Sequence, residues 1–474
     1  MFQQNKNTEG REPIKTMEIK INVDFEKKLG RIRPMHGVGQ PPTDGLDDEL
    51  MHYISDAGIP YSRLHDVQGG FGGNLFVDIP NIFRDFDADE TDEASYDFVF
   101  TDWLIGKLYE HKCEPIYRLG VTIENYHFMK AYRIFPPKDP AKWARICEHI
   151  IKHYNEGWAD GFHYGIKYWE IWNEPDNGRD DTENQMWHGT PQEFYELYTV
   201  AAKHLKSVFG DKIKVGGYAT CGFRHIFSDP EKFGIKFEKS DDKVYAGDRS
   251  ANFLRFFEGF FTYIKEKNAP IDFFSWHSYL TVEKTVAAAE YLDRRLNELG
   301  YGGIETQLNE WNNVCEDRSD PLMIQESARK ENGTGLAAAK TAAMMCAMQK
   351  TKTELLCYYD ARIGVSSYAG MFNPLTMKPF PLYYAFAAFN ELYRLGNEVE
   401  CSYNSTDGFF ALAAEGNGKK AVMLANTSGH DFETVTDLPE GMSVYIVDDT
   451  KMLEKTDLSP GKFVFPKDSI ILIK

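Results

Sequence analysis

The sequence predicts an α/β protein, a (β/α)8 TIM barrel carrying a small accessory all-β domain of β-sandwich type. Three features predict it. Between residues 31 and 395, short apolar segments alternate with longer amphipathic ones in eight successive units. The short segments do not alternate in polarity, as expected of parallel strands covered on both faces. After residue 396 the helical period stops, and β-like segments follow between turns rich in Gly, Asn and Asp. A length of 474 residues suits one large barrel plus a companion.

Residues 1–14 (MFQQNKNTEGREPI) are polar and lack an apolar run, so they read as a disordered tail without a signal peptide. Residues 15–30 read as a strand that joins the β domain. Within it Ile19, Ile21, Val23 and Phe25 share one face at a period of two. The eight barrel strands are MHGVG (35–39), YSRLH (61–65), EPIYRL (114–119), KYWEIW (167–172), IKVGGY (213–218), DFFSWH (272–277), IETQLNE (304–310) and ELLCYY (354–359). Helices between them include 98–111, 141–154, 191–209 and 335–350, and PLYYAFAAFNELYRL (381–395) follows the eighth strand. An open doubly wound sheet is the alternative, but eight repeats favour closure and no GxGxxG follows the first strand. Residues 396–474 supply the β-sandwich through FFALAA, KAVMLANT, SVYIVDD and FVFPKDSIILIK.

A net charge of -19 disfavours nucleic acid and anionic membranes as partners. No run of 18 apolar residues suggests a membrane span. The seven cysteines (113, 147, 221, 315, 346, 357 and 401) are odd in number and form no CxxC pair. That argues against a disulfide framework or structural zinc, and reduced thiols fit the cytoplasm. His149 and His153 (HIIKH) lack the Glu of HExxH and are expected on the outer surface. No HxH ends the first strand, and neither GxxxxGK[ST] nor GxSxG occurs, so no metal or cofactor is expected. A homo-oligomer is left open.

Active sites of such barrels lie at the C-terminal strand ends. The fourth strand ends in Trp172, Asn173, Glu174, Pro175 and Asp176, the seventh in Leu308, Asn309, Glu310, Trp311 and Asn312. A single strand-end Glu could be a surface charge or lie beside a helix cap. Here Pro175 stops the strand and fixes the turn, and two strands facing each other across the mouth each carry Asn-Glu. Glycoside hydrolysis needs such a pair of carboxyl groups, roughly 5–5.5 Å apart for retention and roughly 6.5–9.5 Å for inversion. The acid should have a raised pKa and the nucleophile a lower one.

WEIWNEPDNG (169–178) resembles the signature of clan A glycoside hydrolases. With DFFSWHSY (272–279), LNEWN (308–312) and FNPLTMKPFPLYYAFAAFNEL (372–392), the chain is similar to glycoside hydrolase family 39, which includes β-xylosidases and α-L-iduronidases. The resemblance implies Glu174 as acid/base, Glu310 as nucleophile and Asn173 as partner of the sugar 2-hydroxyl. It implies His277 and Tyr279 beside the nucleophile and His65 on the terminal sugar. Core histidines with one structural hydrogen bond are the alternative for His65 and His277.

The eighth strand departs from the xylosidase pattern of a Trp followed by acidic residues. CYYDARIGVSSYAG (357–370) places Tyr358, Tyr359, Asp360 and Arg362 there, and the third strand ends in Arg118. Two arginines could bind the carboxylate of a uronic acid, or each could form a structural bridge to an acid. Trp311, Tyr359, Asp360, Arg362 and Arg118 complete the candidate substrate-binding set. Segments 66–90, 177–190, 221–248 and 313–332 could wall the site into a pocket. The expectation is a retaining exo-glycoside hydrolase releasing a terminal sugar from oligosaccharides or glycosides, β-xylosidase-like first. Alternatives are a β-galactosidase, an α-L-arabinosidase, a uronidase, a transglycosidase, or an inactive carbohydrate-binding barrel.

Overall fold

Strands β2 (Gly37–Gly39), β3 (Tyr61–Leu64), β4 (Glu114–Leu119), β5 (Tyr168–Ile171), β6 (Lys214–Thr220), β7 (Phe273–Ser278), β8 (Glu305–Trp311) and β9 (Thr353–Tyr359) form a closed parallel barrel. Closure runs through β2 and β9, with Gly37 opposite Cys357. All eight expected strands are present; the fourth of the series is β5 and the seventh β8. The computed structural model describes residues 17–43, 47–67, 77–122, 134–178, 184–236, 248–313, 330–363, 368, 370–404 and 407–474. The expected tail at 1–14, Cys315 and much of the four expected wall segments lie outside these residues.

The helices are α1 (His52–Asp56), α2 (Ile79–Ile82), α3 (Val99–Glu110), α4 (Pro140–Glu156), α5 (Pro191–Phe209), α6 (Asp248–Glu266), α7 (Val282–Leu299), α8 (Gly335–Met348) and α9 (Pro381–Leu395). Their starts are written in the sequence. Thr190 and Glu193 form a reciprocal capping box on α5, with Pro191 at the first helical position. Asp139 accepts hydrogen bonds from the Ala141 and Lys142 amides at the start of α4. One expectation fails: His153 is not a surface residue. It is buried, bonded to Asp102 at 2.9 Å and stacked on Phe98 with ring centroids 3.6 Å apart. No helix among the described residues is long and apolar enough to cross a membrane.

The lower barrel is plugged by Ile116, Tyr168, Phe273, Leu355 and Cys357. Tyr168 and Phe273 open their strands, so this apolar layer sits at the N-terminal end. One layer higher the interior turns polar, with Arg63, Glu170 and Asn309 all buried. The change in polarity puts the chemistry at the C-terminal mouth.

The remaining strands are β1 (Met17–Arg31), β10 (Asn397–Tyr403), β11 (Phe409–Gly416), β12 (Lys419–Asn426), β13 (Phe432–Thr436), β14 (Val444–Val447), β15 (Met452–Lys455), β16 (Lys462–Phe465) and β17 (Ser469–Ile473). They form one nine-stranded sheet in the order β15-β14-β17-β12-β11-β10-β1-β13-β16. β1 runs antiparallel to β10 and parallel to β13, joining residues from both ends of the chain. Ile19, Ile21, Val23 and Phe25 share a core with Phe463 and Phe465 near one sheet edge and Val444 and Ile446 near the other. Phe409 of β11 and Phe465 of β16, four strands apart in that order, have ring centroids 6.0 Å from each other, which a flat sheet could not allow, so the sheet folds over itself as a sandwich does. The opposite face supplies Leu412, Ala414, Met423, Ala425, Ile470 and Leu472 to the barrel's own core, where α8 and α9 pack on β11 and β12.

Candidate active site

Asn173 and Glu174, like Asn309 and Glu310, are consecutive residues that all reach into the barrel mouth. A regular strand would send neighbours to opposite faces. On the β5 side the chain kinks: Trp172 has φ 70° and Glu174 φ 44°, left-handed values that cost a non-glycine residue energy. On β8 the register shifts between Leu308 and Trp311, the mark of a bulge. Asn309 therefore bonds Glu170 at 2.5 Å while Glu310 bonds Arg63 at 3.1 Å. The bulge also turns Trp311 outward. It is fully buried between barrel and helices, with its ring edge-on to Tyr358, so the expectation that it lines a sugar site is corrected.

His277 joins the two acids. Its Nδ1 lies 2.7 Å from Glu174 Oε1 and its Nε2 3.6 Å from Glu310 Oε2. The second oxygen of Glu174 accepts from Asn177 Nδ2 at 2.5 Å, and Tyr279 donates its hydroxyl to Glu310. Among Glu174, His277 and Glu310, one polar atom of each lies within 4.8 Å of the others. That spacing would also accept a divalent ion, although the hydrogen bond from His277 already engages Glu174.

Arg63 is the hub that sequence reading missed. Its Nε donates to Glu170 at 2.7 Å, Nη1 to Glu310 at 3.1 Å and Nη2 to the Asn173 side-chain oxygen at 2.5 Å. The signal was present, because a charge inside YSRLH could only be buried with partners. Burial opposes its charge, but Glu170 and Glu310 outweigh burial and raise its pKa.

The pKa shifts of the two acids run against expectation. Burial pushes Glu174 up, but the hydrogen bond and charge of His277 outweigh it and bring its pKa down to about 2. Glu310 is raised, by burial first and by Glu174 as well, against the pull of His277 and Arg63. The order is the reverse of a raised acid and a lowered nucleophile because the imidazole sits nearer Glu174. Asp176, also unassigned from sequence, is buried beside them. It accepts from the Thr220 hydroxyl and the Cys221 amide, and burial aided by Glu174 raises it to about 7.

The other expected residues also gather at the mouth. His65 is buried, its Nε2 3.0 Å from Asp66, and burial with Arg63 and Arg118 drives its pKa well below the usual value. Tyr359 donates to Asp66 at 2.6 Å. Arg362 is held by Asp360 at 2.6 Å, and fully buried Arg118 by Asp78 at 2.6 Å. Each arginine therefore bridges to an acid, the second of the two readings the sequence offered, while Nε and Nη1 of Arg118 make no hydrogen bond among the described residues.

Four relatives illustrate what the chain is similar to. A beta-xylosidase of Geobacillus stearothermophilus is 25% identical over 236 residues, 48% of this chain and 39% of that protein. A beta-xylosidase of Caldicellulosiruptor saccharolyticus is 26% identical over 219 residues, 43% of this chain and 40% of that protein. The aligned part thus spans about two-fifths of the curated relatives it matches. Among solved structures, a glucosidase from Croceicoccus marinus superposes with TM-score 0.73 at 20% identity, covering 96% of this chain and 98% of that one. A GH39 beta-xylosidase from Caulobacter crescentus gives 0.63 at 15% identity, covering 96% and 99%. The sequence profile of glycosyl hydrolases family 39 matches residues 19–299, more than half the chain, and carries Glu174, His277 and Tyr279. With a closed barrel, an acid pair at its mouth and this match, the chain belongs to glycosyl hydrolases family 39.

Proposed function

We propose that the protein is a retaining exo-glycosidase that releases a terminal sugar, β-xylosidase-like in its first substrate. The observation that carries retention is the spacing of the acids. Oxygens of Glu174 and Glu310 approach within 4.8 Å, on the side of the roughly 5–5.5 Å typical of retention rather than the roughly 6.5–9.5 Å that leaves room for a water.

Glu310 attacks the anomeric carbon, and the bond to the leaving oxygen breaks as that oxygen takes a proton from Glu174. The proton comes through Glu174 from His277 Nδ1, 2.7 Å away. Such a relay accounts for an acid whose own pKa is low in the free enzyme. Once Glu310 is esterified its charge is gone. Glu174 then takes a proton from water, the hydroxide attacks the glycosyl-enzyme, and the proton returns to His277. Arg63 occupies the Asn173 oxygen, so the Asn173 amide hydrogens are left to meet the sugar 2-hydroxyl. Exo action is read from the lengths of segments 66–90, 177–190, 221–248 and 313–332 in the sequence. The six described cysteines are all free, which fits the cytoplasm.

The test is Glu310→Gly. Hydrolysis should vanish, and azide should restore turnover of an activated aryl glycoside to the inverted glycosyl azide. A retained azide would mean that another residue is the nucleophile. The panel holds the β-xyloside that the curated relatives' names point to, the glucoside that the Croceicoccus protein's name points to, a galactoside, an arabinoside and a uronide. Added sugar acceptors separate transglycosylation from hydrolysis.

A further inference from the structure

A second polar cluster occupies the mouth beside β3 and β9. Leu355 and Cys357 face the barrel interior, so Tyr359, two residues further on β9, faces the same way. Its hydroxyl crosses above β2 to reach Asp66 Oδ2 at 2.6 Å. Gly39 leaves room for this crossing, since a Cβ there would stand 3.3 Å from the Tyr359 ring. Arg362 steadies the bridge, donating to the Tyr359 hydroxyl at 3.1 Å and to the Asp66 main-chain oxygen at 3.3 Å.

Asp66 differs from the other carboxylates here. Arg63 is paired with Glu170 and Glu310, Arg118 with Asp78, and Arg362 with Asp360. Among the described residues the carboxylate of Asp66 accepts from no guanidinium: it meets the Tyr359 hydroxyl and His65, whose pKa is pushed well below the usual value, and the charge of Arg362, itself paired with Asp360, reaches it only from beyond that hydroxyl. It is 7% exposed, and its Oδ1 makes no well-aligned hydrogen bond among the described residues. A carboxylate has about four lone-pair sites, so Asp66 keeps acceptor capacity that a donor entering the mouth can use.

We propose that Asp66 determines which sugar the site accepts, taking hydroxyl hydrogen bonds from a neutral terminal sugar and turning away a uronic acid. This rests on the glycosidase reading above. A sugar hydroxyl supplies the missing donor. A sugar carboxylate would meet Asp66 where the charges of Arg63, Arg118 and Arg362 are each already balanced by an acid, a like-charge contact in a poorly solvated site.

The experiment compares wild type, Asp66→Asn and Tyr359→Phe on 4-nitrophenyl β-xyloside, β-glucoside and β-glucuronide. Wild type should prefer a neutral glycoside. Asp66→Asn should lose about 10–100-fold in kcat/KM on it, the worth of one charged hydrogen bond. Its preference over the glucuronide should narrow by about tenfold or more. Tyr359→Phe keeps the carboxylate but frees it to swing. A rise in KM of about tenfold is expected there, which serves where Asp66→Asn does not fold. A wild-type preference for the glucuronide overturns the proposal, as does an Asp66→Asn enzyme within about twofold of wild type. If wild type hydrolyses none of the three and none of the wider panel above, the glycosidase reading falls instead. Xylose, glucose and glucuronate then serve as probes of thermal stability: protection by a neutral sugar that is lost in Asp66→Asn supports the role of Asp66, and equal protection overturns it.

Discussion

A single imidazole between two carboxyl groups makes their charges interdependent. His277 holds Glu174 at 2.7 Å and stands 3.6 Å from Glu310, so neither acid titrates alone. Replacing His277 with Asn removes the partner that lowers Glu174 and leaves the burial that raises it. The pKa of Glu174 should therefore climb from about 2 to above the ordinary carboxylate value, read by carbon NMR of labelled glutamate. kcat/KM should fall by about 10²–10⁴, the usual worth of acid–base assistance. An unmoved titration would remove His277 from the relay. Glu174 and Glu310 were legible in the sequence because Asn-Glu recurs at two strand ends. The opposite directions of their pKa shifts were not, because they depend on which carboxyl the imidazole sits nearer. Arg63 was legible only as an unexplained charge within an apolar strand.

Elements explain how neighbours in sequence come to share one face. The bulge in β8 lets Asn309 brace Glu170 while Glu310 reaches Arg63, and the left-handed residues after β5 do the same for Asn173 and Glu174. Strand positions were readable from apolar runs, and the start of α5 from its Thr-Pro-x-Glu pattern. The bulge was not, because a strict two-residue period sends Trp311 inward or outward depending on one extra residue, and Trp311 fell on the wrong side for that reason. The cap offers a clean test of stability apart from chemistry. Thr190→Ala should lose about 1 kcal/mol in urea unfolding by removing the bond to the Glu193 amide, with kcat unchanged. A fall in kcat would mean that the start of α5 also shapes the loop after Glu174.

At the scale of the whole molecule, barrel and sandwich share one apolar core. Leu412, Met423 and Leu472 belong to the same buried cluster as Phe386 and Met345 of the barrel helices. The alternation in Ile19, Ile21, Val23 and Phe25 announced a strand, but not its neighbours. Pairing with β10 and β13 depends on residues far along the chain. Two units with a continuous core should melt together, so calorimetry should give one transition in which barrel tryptophan fluorescence and far-ultraviolet dichroism coincide. Two separated transitions would mean that the sandwich is an independent appendage.

The position of β1 also bears on how the protein is made. Ile19 pairs beside Thr434, so the first strand leaves the ribosome long before its parallel partner exists. At ordinary elongation rates of about 5–20 residues per second, the delay over roughly 400 residues is on the order of 20–80 s. Until β10 and β13 are made Ile19, Ile21 and Val23 have no sheet to enter, and α8 and α9, once made, keep bare flanks until β11 and β12 follow. Translation speed and chaperone capture thus become determinants of yield, and slowed synthesis of β10 to β13 should trap the chain as a barrel with an unpaired first strand.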